Sequence, residues 1–375
     1  MSRLSESRRI RRRWTWVLLG AGSYALHRAL GKDSLLAENV YSRGFFSGLR
    51  WLWDRTLGLS PMALLYVFLA AAILWEVWKI HGFLSRKTPR PRSSVKAKIG
   101  RGFLLVASWI GIVVFFFYAL WGFNYNRVGV EKQLNLDVRP LDSAVLKAEA
   151  EEAVRNLIEA RASIPGATTA ALDDAVLPFR LESSLRKSMS KILPYAGLPA
   201  AGRPRVRPLR PGGLLMRFGS SGFYFPYLGE SYIAANLTPA EKPFVMAHEM
   251  AHAFGITDEG AANMLGFLAC ASSAEPVIRY SGFLSYWGSA FLELSRMSQD
   301  DARVIALRLP DGVRADIREA RERWDRYRGP LRTASQAVYD RYLKSQGVKE
   351  GLASYDRFVS LVVAWKRRTS APARD

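Results

Sequence analysis

The chain has 375 residues, of which 49% are hydrophobic and 12% aromatic. That length and apolar content exclude a disordered protein and suffice for one or two domains with buried cores. The net charge of +21 would suit a nucleic-acid-binding protein, but many of the basic residues flank apolar runs, as in membrane proteins. We therefore expect no nucleic-acid partner. The single cysteine, Cys270, excludes an internal disulfide and a cysteine-based zinc site, and we expect it to be a core residue.

Three apolar segments in the first third of the chain predict membrane helices. Residues 61–80 and 103–123 are each about 20 residues long and overwhelmingly apolar, which matches the hydrocarbon thickness of a bilayer at helical rise. Residues 14–30 form a shorter segment that either spans the bilayer or lies at its interface. Glu76 and His27 are near the ends of their predicted helices, so we expect them to be structural rather than functional intramembrane groups.

The basic residues predict the orientation. They cluster before the first segment, in residues 3–13, and between the second and third, in residues 79–101, and both clusters should face the cytoplasm. An interfacial first segment would force the basic 79–101 linker across the membrane, so three crossings are favoured. We expect a multi-pass membrane region, residues 1–123, anchored in a lipid bilayer, and an extracytoplasmic domain, residues 124–375.

Residue spacing in the soluble part predicts helices, then a small sheet, then more helices. Helices are expected over 141–163 and 173–193, before a stretch rich in Pro, Gly and Arg. Extended runs predict strands at 214–218, 223–225 and 231–237. The helices expected after the sheet cover residues 241–254, 258–272, 276–295, 311–328, 331–346 and 352–366.

One of these predicted helices has clear start signals. Thr238 is suited to an N-cap and Glu241 follows three residues later, the spacing of a capping box. Pro239 and Pro243 bracket the start, where proline is tolerated. A helix is therefore expected over residues 244–254.

That helix carries the most informative motif of the chain, His248-Glu249-Met250-Ala251-His252. The two histidines lie one turn apart on the same face, so both imidazoles can bind one zinc ion and leave a position open for water. Glu249 can reach that zinc-activated water and act as its general base. The attack would fall on a carbonyl carbon, most simply that of a peptide bond.

A third protein ligand is required, and two residues compete for that role. Gly255 can end the helix, after which Asp258 fits a metzincin-like pattern. Alternatively Glu259 binds zinc from the next helix, and Asn263, one turn later, hydrogen-bonds the other nitrogen of a ligand histidine. This second pattern is similar to that of gluzincins, and we favour it.

Several segments beyond the motif resemble one family. They are 121–127, 224–230, 243–263, 279–282, 342–344 and 351–355. They resemble the bacterial membrane proteins that carry the domain of unknown function 3810. The resemblance covers most of the chain from the membrane helices onward. It implies a zinc metallopeptidase in the bacterial cytoplasmic membrane, with a zincin-like α+β domain in a mainly α chain and a small sheet before the motif helix.

The chain departs from that family at one position. Members carry Glu-Ala-Asn where this chain has Ala261-Ala262-Asn263, although Glu259, four residues before the asparagine, is retained. If the missing glutamate were the family's ligand, the site would be impaired or would depend on Asp258.

Substrate-binding groups are predicted before and after the motif. An edge strand before the motif could pair with an extended peptide, with Tyr224 and Glu230 lining it. Tyr280 or Arg279 could stabilise the oxyanion of the tetrahedral intermediate. The alternatives to a peptidase are an impaired zincin-like protein that binds peptide or cell-envelope ligands, and a membrane scaffold.

Overall fold

The computed structural model describes residues 3–85, 94–200 and 202–370. The protein is mainly helical and divides into two compact units. The first comprises residues 1–49, 55–127 and 226–228, and the second comprises residues 50–54, 128–225 and 229–375.

The first unit consists of helices. They are α1 (Arg3–Leu30), α2 (Ser34–Leu36), a π-helix (Ala37–Phe45), the two ends of α3 (Phe46–Arg55), a 3₁₀ helix (Leu57–Leu59), α4 (Leu64–Leu84), α5 (Val95–Leu120) and a 3₁₀ helix (Gly122–Asn126). α1 packs along α5, where the ring of Trp16 lies against Phe115 and Phe116. Closer to the end of α5, His27 stacks on Tyr118 at 4.8 Å between ring centroids.

Two helices of this unit are long and apolar enough to cross a membrane. Their apolar windows, Leu64–Gly82 in α4 and Lys98–Leu120 in α5, correspond to the predicted segments 61–80 and 103–123. The predicted segment 14–30 forms the second part of α1 and does not contain such a window. Within the basic linker, residues 86–93 lie outside the described residues.

Within the described residues, the second unit contains eleven further α-helices and a three-stranded sheet. Its elements are α6 (Val130–Gln133), α7 (Ser143–Ala162), a 3₁₀ helix (Asp174–Val176), α8 (Leu181–Tyr195), β1 (Arg205–Leu209), α9 (Gly213–Arg217), β2 (Gly222–Phe225), β3 (Glu230–Ala234), α10 (Lys242–Ala253), α11 (Glu259–Ala271), α12 (Pro276–Met297), α13 (Gln299–Ala306), α14 (Asp311–Asp325), α15 (Pro330–Ser345), a 3₁₀ helix (Gly351–Asp356) and α16 (Arg357–Ser370).

The sheet has the strand order β1-β3-β2, so β3 is central. β1 runs parallel to β3, with Arg205 opposite Glu230, and β2 runs antiparallel to β3, with Gly222 opposite Ile233. All five residues of β3 are buried, whereas those of β2 are half-buried, as expected of a central and an edge strand.

The sequence prediction was wrong about one strand and missed another. Residues 214–218 fall largely in the short helix α9, where Leu215 and Met216 are buried, because a short apolar run has no periodicity that separates strand from helix. The strand β1 lies instead in the stretch rich in Pro, Gly and Arg. Its Pro208 is compatible with a strand because β1 is at the edge of the sheet.

An aromatic cluster joins the helices around the motif helix α10. Phe358 of α16 contacts Phe244 of α10, Phe267 of α11 and Tyr286 of α12, with ring centroids 5.5–6.1 Å apart. Phe267 and Tyr286 also stack on each other at 4.6 Å. These contacts fix α10 and α11 relative to each other, and both helices carry residues of the site described next.

Candidate metal centre

The start of α10 is fixed by the side chains that the sequence singled out. Glu241 accepts hydrogen bonds from the backbone N–H and the hydroxyl of Thr238, at 2.9 and 2.8 Å. The other oxygen of Glu241 accepts a bond from Trp324 Nε1 at 2.9 Å. Regular helix begins at Lys242, so the whole motif is helical and its two histidines share a face.

Two contacts place this helix against its neighbours. Ser231 of β3 donates to the backbone carbonyl of Glu249 at 2.8 Å, which holds α10 on the sheet. On the other side, α11 presents Gly266, where an added Cβ would lie 3.1 Å from the backbone nitrogen of His248. The absence of a side chain there lets α11 approach α10 closely.

Asp258 and Glu259 have different positions at the start of α11. Asp258 is the N-cap: it accepts a bond from the backbone N–H of Ala261 at 2.7 Å, and Arg357 donates to its other oxygen at 3.2 Å. Glu259 is buried in the first turn and points towards α10. The structure therefore brings Glu259, and not Asp258, to the two histidines.

Three buried ligand atoms converge between α10 and α11. His248 Nε2 and His252 Nε2 are 3.0 Å apart, and Glu259 Oε2 lies 3.2 Å from the first and 3.3 Å from the second. Zinc bonds of about 2.0–2.1 Å in a tetrahedron place ligand atoms about 3.3–3.4 Å apart. The triangle is therefore close to the size that one zinc ion requires.

In each histidine, the ring nitrogen that faces away from the cluster, Nδ1, has a hydrogen-bond partner. His252 Nδ1 is 2.7 Å from the carbonyl oxygen of Ile256, which can only accept, so Nδ1 carries a proton. His248 Nδ1 is 2.7 Å from Asn263 Oδ1, which assigns the same tautomer. In the neutral form of both rings the Nε2 atoms present lone pairs to the third ligand atom.

This donor set fits a cation. Two nitrogen lone pairs and a carboxylate oxygen point at one another, and Glu259 Oε2 has no hydrogen-bond partner among the described residues. Buried acceptors facing each other repel unless a cation or a proton lies between them. Two imidazoles and one carboxylate are a donor set that divalent transition-metal ions such as zinc take in proteins.

The ionisation of the cluster also favours positive charge. Burial would raise the pKa of Glu259, but the adjacent histidines, His252 first, hold that pKa well below its usual range. Burial opposes the charged form of His252, yet the Glu259 carboxylate raises the pKa of His252 to about 9. Without a metal ion, a proton on His252 therefore balances the charge of the Glu259 carboxylate, and a bound cation would take the place of that proton.

Glu249 lies beside the cluster with a free oxygen. Its Oε2 is buried and has no hydrogen-bond partner among the described residues. Burial raises the pKa of Glu249 to about 7. Gly222 of β2 lies directly against this side chain, because an added Cβ there would be 2.6 Å from Glu249 Oε1. The backbone of β2 therefore lies directly against the carboxylate of Glu249.

Two tyrosines that the sequence reasoning did not select also lie at the cluster. Tyr339 of α15 donates to Glu259 Oε1 at 2.6 Å. The Tyr355 ring stacks on His248, at 6.3 Å and 14°. Burial of the Tyr355 hydroxyl, and then the charge of Glu259, raise the pKa of Tyr355 well above its usual value. Tyr339 therefore holds one oxygen of Glu259, and the raised pKa keeps the Tyr355 hydroxyl protonated.

The residues predicted to stabilise an oxyanion have other partners. Tyr280 is buried and donates to Asp316 at 2.6 Å, and Asp316 also pairs with Arg161 at 2.8 Å. Arg279 donates to the carbonyl oxygens of Ser273 and Ala274, both at 2.9 Å. Tyr280 and Arg279 are therefore engaged in hydrogen bonds within the fold.

The residues predicted to line the edge strand are also engaged within the fold. Glu230 is buried and accepts hydrogen bonds from Arg207 and, at 2.6 Å, from Tyr232. Burial raises the pKa of Tyr224, whose hydroxyl lies beside Arg50. Gly222, on the same strand as Tyr224, lies against the side chain of Glu249.

The sequence held a weak signal for one of the two missed tyrosines. Tyr355 closes the segment 351–355, one of those that carry the family resemblance. Tyr339 had no such signal, and its hydrogen bond joins residues 80 positions apart.

Comparison with known proteins identifies a family. A family model described as "Protein of unknown function (DUF3810)" matches residues 41–363. No curated protein and no solved structure matches the chain.

Proposed function

The chain belongs to the DUF3810 family, whose description assigns no function, and from its site we propose that it is a membrane-bound zinc metallopeptidase. One observation carries the proposal: His248, His252 and Glu259 present three buried ligand atoms 3.0–3.3 Å apart, with the free carboxylate of Glu249 beside them. Ligand atoms that face one another in a buried site need a proton or a cation among them, and the adjacent Glu249 Oε2 has no hydrogen-bond partner among the described residues.

The roles of the residues follow from their positions. His248 and His252, held by Asn263 and the Ile256 carbonyl, would bind one zinc ion together with Glu259. A bound zinc ion supplies Lewis acidity, which lowers the pKa of water and polarises a carbonyl oxygen. The unpaired Oε2 of Glu249 would take up the proton of the attacking water and pass it to the leaving amine.

The hydroxyl of Tyr355 replaces Tyr280 and Arg279 as the candidate oxyanion donor. It stays protonated because burial and Glu259 raise its pKa, and its ring is stacked against the ligand His248. A neutral phenol fixed in this position can donate to a developing negative oxygen.

The substrate we propose is an extended peptide segment. β2 is an edge strand, and its Gly222 lies against Glu249, so a chain added along β2 would pass the general base. Edge strands bind extended peptides through main-chain hydrogen bonds. The backbone of β2, rather than the side chains of Tyr224 and Glu230, would then select the substrate conformation.

We place the catalytic unit outside the cytoplasm. The 79–101 linker is strongly basic and should stay inside, and α5 leads from that linker to residue 120. The chain after α5 then lies on the opposite side of the membrane, whether or not residues 14–30 span it.

The test is hydrolysis of an unstructured protein, such as casein, by the purified full chain in detergent. Glu249→Gln should reduce the rate by about 10²–10⁴-fold without loss of zinc, because it removes only the proton acceptor. Glu322→Gln, the same change at an exposed residue, should leave the rate unchanged. Bound zinc with no hydrolysis, unaffected by Glu249→Gln, would replace the proposal with the impaired, ligand-binding alternative.

A further inference from the structure

The outer oxygen of the ligand Glu259 is held by a helix that is otherwise loosely attached. Tyr339 donates to Glu259 Oε1 at 2.6 Å, whereas Oε2 faces the two histidines. A hydrogen bond of this length to a carboxylate is charge-assisted and therefore strong. It fixes the carboxylate so that a single oxygen is directed at the metal position.

With this contact, all three ligands have an orienting partner. Asn263 holds His248 from α11, and the Ile256 carbonyl holds His252 from the loop between α10 and α11, so both partners are close to the ligands in the chain. Tyr339 is different, because it comes from α15, 80 positions along the chain. The orientation of the third ligand, Glu259, therefore depends on the position of α15.

α15 has few packing contacts of its own. Of its 16 residues, Leu343 is the only one that is fully buried. Leu331 and Val338 are exposed at 47% and 66%, and the Tyr339 ring is 36% exposed, at the border between solvent and the cluster. Helices with few buried apolar contacts open locally at low cost in free energy.

One attachment of α15 leads to the other tyrosine of the site, whereas Arg332 of α15 lies over the ring of Trp324. Asp340 of α15 accepts a bond from the backbone N–H of Leu352 at 3.0 Å, in the 3₁₀ helix that carries Tyr355. α15 follows Gly329, and the chain leaves it through Gly347, whose φ is +96°. α15 and the 3₁₀ helix thus bring both tyrosines to the cluster together.

We infer that α15 is a movable cover of the metal site, and that Tyr339 couples its docking to metal binding by positioning Glu259. The inference rests on the proposed function only in taking the cluster to be a metal site. Coupling of this kind is reciprocal: docked α15 strengthens metal binding, and bound metal strengthens the docking of α15 by the same factor. Undocking would open the site on the side of Tyr339 and Tyr355.

The first test is the affinity of the full chain in detergent for zinc, measured by competition with a chromophoric chelator. Tyr339→Phe removes one hydroxyl from a largely exposed helix and should weaken zinc binding by roughly 10–100-fold. Tyr195→Phe, the same change at a residue that is 73% exposed on α8, should leave the affinity unchanged. The visible spectrum of the cobalt-substituted protein should change in Tyr339→Phe alone, because the freed carboxylate alters the coordination.

The second test is hydrogen exchange of residues 330–345 with and without zinc. Zinc should slow exchange in α15 of the unmodified protein by about the factor lost in Tyr339→Phe, and the slowing should shrink to little or nothing in that variant. Equal zinc affinity and cobalt spectra in Tyr339→Phe, or zinc-independent exchange in α15, would overturn this inference while the proposed function stood. Failure of the unmodified protein to bind zinc would overturn both.

Discussion

At the scale of single residues, the position of the Glu249 carboxylate depends on Gly222, which has no side chain. Gly222 lies so close that a Cβ there would be 2.6 Å from Glu249 Oε1 and 2.8 Å from the carbonyl oxygen of Tyr232. The strand cannot retreat freely, because Gly222 is paired with Ile233 in the sheet. A substitution at this position should therefore displace the carboxylate of Glu249 rather than the metal ligands.

Gly222→Ala tests that relation. We expect peptide hydrolysis to fall by at least about tenfold, because a displacement of the base by about 1 Å is costly in catalysis, while zinc content stays at the unmodified level. Gly288→Ala is the matched control, since an added Cβ there meets nothing within 4 Å. Loss of zinc in Gly222→Ala would show that the strand supports the ligands and not the base.

The structure brings together the residues that the sequence grouped around the motif. His248, His252, Glu259 and Asn263 lie within 16 residues on two consecutive helices, where helical spacing alone decides which side chains share a face. Ala261 is two positions from Glu259 on α11, so helical spacing places a carboxylate at that position on a different side of the helix from Glu259. Tyr339 could not be predicted, because its contact depends on how a distant helix folds back.

At the scale of elements, the side chain of Phe358 joins α16 to α10, α11 and α12. Phe358 is 1% exposed and touches an aromatic ring on each of the three other helices. Phe358→Ala should lower the free energy of unfolding by about 3–5 kcal/mol, the usual cost of removing a fully buried aromatic side chain. Thermal or denaturant unfolding of the metal-free protein measures this change in the free energy of unfolding. A decrease of less than about 1 kcal/mol would contradict the proposed role of Phe358 in the core.

A second prediction at this scale concerns α12 and pH. Burial, and then the charge of Asp356, raise the pKa of Glu293 to about 7 from its usual 4.5, although Arg296 opposes the shift. The folded state therefore binds this proton more tightly than the unfolded chain, so stability from this group is present below pH 4.5 and is lost as pH rises to about 7. Glu293→Gln should thus be more stable than the unmodified protein at pH 8 but not at pH 4.

Unfolding measured at both pH values checks this expectation. Glu322→Gln serves as the control, because Glu322 is exposed and its substitution should have the same small effect at each pH. An equal effect of Glu293→Gln at pH 4 and pH 8 would show that the raised pKa has no consequence for folding.

The sequence was less informative about the sheet than about the helices. The motif helix has a capping box and two prolines at its start, and helix predictions were close from α10 to α12. β1 had no such signal, because its pattern, Arg205-Val206-Arg207-Pro208-Leu209, contains proline and charge. It is a strand because it pairs with the buried β3, which is a tertiary contact that local patterns do not encode.

At the scale of the whole molecule, the two apolar helices and the basic linker define the topology that we propose. A reporter that is active only outside the cytoplasm should be active when fused after residue 370 and inactive when fused within the linker, after residue 90. The reverse pattern would place the proposed peptidase in the cytoplasm. It would leave the geometry of the metal site untouched.

The central claim is that the chain binds one zinc ion through His248, His252 and Glu259, and metal analysis of the purified full chain tests it most directly. We predict about one zinc per chain, retained in Asp258→Ala, because Asp258 is an N-cap, and lost or greatly reduced in Glu259→Ala. Zinc kept in Glu259→Ala but lost in Asp258→Ala would contradict the ligand set, and a metal-free unmodified protein would contradict the claim itself.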